Sequence, residues 1–193
     1  MTDSEQPSID QERATRQPRR QRRSGGSGQH RGSGSGGGRR HQGRILALQV
    51  LYEVDVSGHS LDEVLHHTFT DQAVPPAIRT HVERLTAGVT ADQSSIDPWI
   101  ADAAPAFPVA QLAAVDRNVL RLAIYELTKE PAVPPKAAIN EAVELAKRFG
   151  GEHSGRFING VLGTVIARLD AQPDNGATTP AITNDLATDG SEP

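Results

Sequence analysis

Arginine is the residue type best placed to do chemistry in this sequence, and that chemistry is the binding of phosphate. Arg39, Arg40, His41 and Arg44 stand together just before an apolar run. Arg40 and Arg44 are four residues apart, so they share a face if the helix that carries them starts early. A helix N-terminus favours anions and disfavours cations, and a bound phosphate backbone would reconcile a basic cluster with that position. The alternative is a solvated start to an ordinary helix.

The other titratable residues give no argument for catalysis. The chain has no cysteine, which excludes disulfides, cysteine-based zinc sites and a cysteine nucleophile. His66 and His67 are adjacent and therefore point to different helix faces, so they do not form a metal-binding pair. Glu141 and Glu144 face basic residues at helical spacing, which is typical of a solvated helix face. With no phosphate-binding loop, serine-hydrolase motif or zinc-protease motif, we predict no enzyme, no cofactor and no metal.

The elements that position these residues are predicted to be helices throughout. Apolar residues recur at helical spacing, and no segment shows convincing strand alternation. The helical segments are residues 44–56, 61–69, 77–90, 92–101, 116–130, 135–149 and 154–169. The fifth is apolar nearly all round, which predicts the central, most buried helix. The fold class is therefore all-α, with about seven helices.

Small and amide residues in the last two helices suggest close packing. Gly160 and Gly163 lie one turn apart. Glycine inside a helix costs about 1 kcal/mol relative to alanine, so we expect a neighbour too close for a side chain there. Asn140 and Asn159 lie beside apolar residues, and we expect their amides to tie helices or a loop together by hydrogen bonds.

Charge and composition divide the chain into three parts. Residues 1–43 form a basic Arg/Gly/Ser-rich arm, 44–170 the folded domain, and 171–193 a polar tail; both ends are too poor in apolar residues to fold alone. Residues 1–44 hold ten arginines and four acidic residues, whereas residues 45–193 hold ten basic and twenty acidic residues. A basic arm on an acidic body is typical of phosphate contact without sequence readout. No apolar run suits a membrane span or a secretory signal, so we predict a cytoplasmic protein.

Three blocks carry a family resemblance. They are R-x-x-A-L-Q-x-L-Y-E-x-D at Arg44–Asp55, DRNVLRLAIYEL at Asp116–Leu127, and PPKAAINEAVELAKRFG with SGRFINGVLG further on. Together they resemble the NusB family of bacterial antitermination factors over about residues 39–170. The third block is the most specific of the three.

The resemblance implies an all-helical fold of two packed helical subdomains and a function without catalysis. It implies binding to the single-stranded boxA element of ribosomal RNA leader transcripts. It also implies partnership with NusE, a small-subunit ribosomal protein, within an antitermination complex on RNA polymerase.

The family's site residues carry over by position. The Arg-rich helix start that contacts RNA corresponds to Arg40, His41 and Arg44, with Arg39 adjacent. Further RNA-facing candidates are Tyr52 and, in the turn Gly151–Ser154, His153 and Ser154. The region that faces NusE corresponds to Asp116 and Arg117.

Other functions compete with boxA binding. One is a helical protein–protein interaction module, homodimeric through the RNA-binding side, whose arm binds RNA non-specifically. Another is a DNA-binding domain, although helix-turn-helix spacing is not evident and the acidic body would repel duplex phosphate. If the protein binds RNA, we expect the arm's arginines to supply general phosphate attraction while the folded surface sets the register.

Overall fold

The computed structural model describes the backbone of residues 34–171 and the side chains of residues 37–171. The predicted arm up to residue 33 and the predicted tail from residue 172 lie outside this described range. Within it, the regular structure is seven α-helices and one 3₁₀ turn at Val109–Gln111. The helices are α1 (Gly34–Ser57), α2 (Leu61–Asp71), α3 (Pro76–Ala91), α4 (Gln93–Ala103), α5 (Ala114–Lys129), α6 (Pro135–Phe149) and α7 (Ser154–Ala171). The predicted all-α class is confirmed.

The helix ends follow local sequence chemistry. Ser60 caps α2: its hydroxyl accepts the Glu63 N–H, and the Glu63 carboxylate accepts the Ser60 N–H in return. This reciprocal pair satisfies two N–H groups that the helix cannot satisfy itself. Pro76 and Pro135 stand in the first turns of α3 and α6, where a missing N–H costs nothing.

Helix α5 is the centre of the molecule, as its sequence predicts. It contacts α1, α3, α4, α6 and α7, so it joins the group α1–α3 to the group α4–α7 through one continuous apolar core. Its buried aliphatic residues are Val119, Leu120, Leu122, Ala123 and Ile124. Each large side chain among them contributes about 1.5–3 kcal/mol by leaving water. None of the helices in residues 34–171 is long and apolar enough to cross a membrane.

The start of α1 differs from the prediction. The helix begins at Gly34, ten residues before the expected start at Arg44, so α1 includes the last ten residues of the predicted arm. Five of residues 34–43 are glycine, each costing about 1 kcal/mol in a helix relative to alanine, and this composition argued against a helix. Two effects favour it in the folded protein. The added turns extend an existing helix without a new nucleation cost, and side chains in this segment bond to the body.

Glycine has a packing role at positions other than those predicted. Gly160 and Gly163 are exposed, and a Cβ at either would meet nothing within 4 Å, so the expectation of close packing there is wrong. Close approaches occur at other glycines: a Cβ at Gly155, in the first turn of α7, would lie 2.8 Å from the Lys147 side chain of α6, and two more are in the α1–α3–α5 group. A Cβ at Gly43 would lie 2.5 Å from the His81 ring, and a Cβ at Gly88 would overlap the Tyr125 ring. These glycines let α1 and α5 pack tightly against α3.

Candidate functional site

A basic cleft lies beside the start of α1. Arg39 and Arg40 of α1 face His81 and Arg84 of α3 across a cavity of about 450 Å³, and Glu130 closes one end through an ion pair with Arg84. Arg39 and Arg40 are exposed. Three guanidinium groups against one carboxylate make this cleft positive on an otherwise acidic body. It is therefore suited to a phosphate backbone.

His81 contributes a neutral ring to the cleft. Burial, and then the positive charges of Arg84, Arg44 and Arg40, lower the pKa of His81 to about 4. Arg84 lies 3.0 Å from Nδ1 and can only donate, so Nδ1 accepts and the proton of the neutral ring sits on Nε2. That Nε2 is buried without a hydrogen-bond partner. The positive charge of the cleft at neutral pH is therefore supplied by its arginines.

Arg44 does not lie on this exposed surface. Its side chain is 4% exposed, and it donates from Nε and Nη2 to the carboxylate of Glu126 at 2.7–3.0 Å. Glu126 is itself only 2% exposed. The predicted RNA-binding residue Arg44 is thus covered by α5 and α6, and its Nε and Nη2 are bonded inside the protein.

His41 is also bonded on one side to the folded body. Its Nδ1 lies 2.7 Å from the Glu141 carboxylate, and the same carboxylate lies 3.8 Å from Arg44 Nη1. His41, Glu141, Arg44 and Glu126 thus form a chain of polar contacts from the surface into the core. Of the predicted basic cluster, only Arg39 and Arg40 are left free to meet a ligand.

An apolar groove lies at the other end of α1. Tyr52, which is 42% exposed, lines it with Leu48 and Val56 of α1, Val115 of α5 and Phe149 of α6, around a cavity of about 530 Å³. Twelve residues of helix, about 18 Å, separate Tyr52 from Arg40. The structure therefore does not bring Tyr52 together with the basic cleft. It places Tyr52 beside the first turn of α5, next to the predicted partner-binding residues.

Those two residues have different surroundings. Arg117 donates from Nε to Asp55 at 2.6 Å and from Nη1 to the Leu112 carbonyl at 3.0 Å, so it is largely used within the protein. Asp116 stands in the first turn of α5, and its Oδ1 is buried without a hydrogen-bond partner. Of the predicted pair, Asp116 is the residue with unused hydrogen-bonding capacity.

Asp55 organises the end of α1. It accepts hydrogen bonds from Arg117 and from Asn118 Nδ2 (2.8 Å), and Arg121 lies 3.5 Å away while bonding Asp97 through two nitrogens. Burial alone would raise the pKa of Asp55. The hydrogen bonds from Arg117 and Asn118 and the charges of Arg117 and Arg121 outweigh this and hold the pKa below its usual value. The network fixes the end of α1 to the start of α5.

The α6–α7 turn forms a third exposed surface. Ser154 is buried, and its hydroxyl accepts the Gly151 N–H at 2.9 Å, so it shapes the turn instead of facing a ligand. His153 is exposed beside Phe107 and Phe157, whose rings meet edge to face with centroids 5.6 Å apart. Phe107 is 54% exposed, an unusual position for a large apolar ring.

Several residues of these sites were not found from the sequence. Glu126 and Asn118 are buried polar residues in the most apolar helix, and a lone glutamate in such a helix is itself a signal, because it requires a buried cation. Conversely, Asn140 and Asn159, whose amides were expected to tie helices or a loop together by hydrogen bonds, are exposed. Among residues 34–171, no group of three or more His, Asp or Glu side chains is arranged to hold a metal ion.

Comparison with known proteins gives a consistent result. A model of the NusB family matches residues 41–167. The transcription antitermination protein NusB of Chloroflexus aggregans is 47% identical over 135 residues, which are 69% of this chain and 90% of that relative.

Solved structures are similar as well. The chain resembles NusB of T. maritima with 32% identity and a TM-score of 0.62, over 66% of this chain and 90% of that one. It also resembles a chain in the crystal structure of the antitermination factors NusB and NusE in complex with double-stranded RNA. There the identity is 25% and the TM-score 0.63, over 67% of this chain and 97% of the other.

Proposed function

Because this chain belongs to the NusB family of transcription antitermination proteins, we propose that it binds boxA-type RNA together with the ribosomal protein NusE. The observation that carries the proposal is the separation of two unlike surfaces on one helix. A positive cleft lies at the start of α1, and an apolar groove lies at its end. One surface suits a nucleic acid and the other suits a protein.

The basic cleft is the proposed phosphate-binding surface. Arg39 and Arg40 contact the RNA backbone from α1, and Arg84 contacts it from α3 once the phosphate replaces its ion pair with Glu130. Guanidinium groups suit this role because their planar donors match phosphate oxygens. The arm that precedes α1 adds general phosphate attraction, as its arginines predict.

The α6–α7 turn is the proposed base-contacting surface. It lies at the far end of α6, about 22 Å along that helix from the cleft. The exposed Phe107 ring offers a stacking platform, with His153 and Arg156 beside it as polar contacts. Bases of a single strand stack on such rings without needing a particular sequence. Ser154 holds the turn in shape through its bond to Gly151.

The apolar groove is the proposed NusE surface. Tyr52 and Val56 present exposed apolar area, Val115 lines the same groove, and Asp116 follows Val115 in the first turn of α5. Exposed aromatic residues in a pocket are frequent anchors of protein interfaces. We therefore assign Tyr52 to partner binding instead of RNA binding. The similar complex that contains both NusB and NusE supports this partner.

The remaining parts of the proposal follow from the family. The protein acts without catalysis, in the cytoplasm, within an antitermination complex on RNA polymerase that transcribes ribosomal RNA. A basic arm, a folded RNA-binding domain and a polar tail are its three parts.

The test is fluorescence-anisotropy binding to a short boxA-type RNA and to a scrambled RNA, with and without NusE. We expect selective binding that tightens when NusE is present. The double variant R39A/R40A loses two phosphate contacts. The slope of log binding constant against log salt concentration on single-stranded RNA therefore becomes shallower by about 1.4, while NusE binding is unchanged. Y52A is the matched variant on the same helix. For Y52A we expect weaker NusE binding and unchanged RNA binding.

Equal, salt-sensitive binding to both RNAs would contradict the proposal. It would favour an interaction module whose arm alone attracts nucleic acid. Light scattering with and without RNA then separates a homodimer from a monomer, and a duplex-DNA competitor exposes a general nucleic-acid binder.

A further inference from the structure

The two arginines of the cleft stand on a segment that does not hold a helix by itself. Five of residues 34–43 are glycine, and Arg39 and Arg40 lie between them. The direction in which these arginines point therefore depends on what fixes this segment to the body.

Two acidic side chains fix it. Glu126 of α5 binds Arg44 through three hydrogen bonds, and Glu141 of α6 binds His41 at 2.7 Å. Glu141 also approaches Arg44, so the two anchors are joined. His41 and Arg44 are three residues apart, nearly one helical turn, which fixes both the rotation and the axial position of this part of α1.

We infer that Glu126 and Glu141 are positioning residues for RNA binding: through Arg44 and His41 they hold the start of α1 so that Arg39 and Arg40 face the cleft. This inference rests on the proposed RNA-binding function of the cleft. Neither carboxylate contacts RNA, and Arg44 is a positioning residue as well.

The geometry of the buried pair supports orientation more than stability. A buried ion pair is often no more stabilising than apolar residues of the same size, so stability alone does not explain Arg44 and Glu126. A guanidinium that makes several bonds to one carboxylate is strongly directional, whereas an apolar contact at this point would leave α1 free to rotate or slide.

Glu141 gives the sharpest distinction. It is 28% exposed near a positive cleft, so simple electrostatics predicts that its removal tightens RNA binding. Positioning predicts the opposite. Glu144 is a matched control, since it lies on the same helix, is 62% exposed and bonds only Lys147.

The experiment compares E141A, E141Q and E144A with the wild-type chain on boxA-type RNA. We expect about a ten-fold loss in E141A, recovery in E141Q because the amide oxygen still accepts a hydrogen bond from His41, and no loss in E144A. E141A binding as tightly as E144A would overturn the inference for Glu141.

The double variant R44M/E126L tests the buried anchor. It replaces the ion pair with apolar side chains of similar size, so we expect an unchanged melting temperature and unchanged NusE binding. We also expect a loss of boxA affinity of about ten-fold. We expect the salt slope to fall as it does in R39A/R40A, and a retained slope would contradict the inference, because Arg39 and Arg40 would still meet phosphate. Wild-type affinity in this variant would overturn the inference for Glu126, whereas a wild-type chain without boxA selectivity would instead overturn the proposed function.

Discussion

Two ion pairs of opposite polarity tie α1 to α5, and the surfaces beside them differ. One turn after the cleft arginines, α1 supplies the cation, Arg44, to Glu126; in its last turn it supplies the anion, Asp55, to Arg117 and Arg121. The first tie is fully buried beneath a charged cleft. The second is partly exposed beside an apolar groove.

The difference shows how one helix can serve two kinds of ligand. Asp55 stands in the last turn of α1, where the helix dipole disfavours an anion, and its surroundings must offset this with donors from α5. Arg44 donates from Nε and Nη2 to the single carboxylate of Glu126, and its Nη1 lies 3.8 Å from Glu141. The first part of α1 is therefore held by two acidic partners, Glu126 and Glu141, and the end is held by donors that converge on one carboxylate.

The largest expected effect comes from breaking the buried pair. In R44A the Glu126 carboxylate stays buried without a cation, so we expect the free energy of unfolding to fall by about 3–5 kcal/mol. Urea denaturation followed by circular dichroism measures it. R44M/E126L is the control, with a change near zero; a loss below about 1 kcal/mol in R44A would mean that water reaches Glu126.

A smaller effect is expected at the other end. D55A leaves Arg117 and Asn118 without their shared acceptor, while Arg121 keeps Asp97. Because the site is partly exposed, we expect a loss of about 2 kcal/mol, with weaker NusE binding and unchanged RNA binding. Exposed Asp71 gives the control variant D71A. Equal losses of both ligands in D55A would contradict independent ends.

Acid should weaken the two ends in different pH ranges. The pKa of His81 is about 4 when folded and about 6.5 when unfolded, so the unfolded chain gains a proton first and stability falls as pH drops from 6.5 to 4. Allowing for the exposed part of the ring, we expect about 1–2 kcal/mol. The lowered pKa of Asp55 means that its contribution is lost only below about pH 3.8. Denaturation at several pH values should lose the first phase in H81N, and an unchanged profile would refute this assignment.

The ends of α6 and the identity of the central helix were predicted correctly, because they are determined by residues close together in the sequence. Pro135 and the glycine after Phe149 bound α6, and its observed range is the predicted one. The apolar character of residues 116–130 likewise indicated the central helix. These features depend on residues within a few positions of one another.

What the sequence did not reveal depends on distant partners. Arg44 resembles its exposed neighbours until Glu126, 82 residues later, is known to lie over it. The glycine-rich start of α1 has low helix propensity, and its contact with the body is made by Glu141, 100 residues from His41. Tyr52 joins the groove rather than the cleft because α5 begins beside it. A single sequence does not encode such pairings in any spacing rule.

The distance along the chain between His41 and Glu141 also has a consequence in time. A ribosome adds about 5–20 residues per second, so the 100 residues between them take about 5–20 s to synthesise. During that interval the arginines are already made but their anchors are not. A nascent chain can therefore attract RNA through its arginines before those arginines are held in position. Selective binding is acquired only when α6 has left the ribosome.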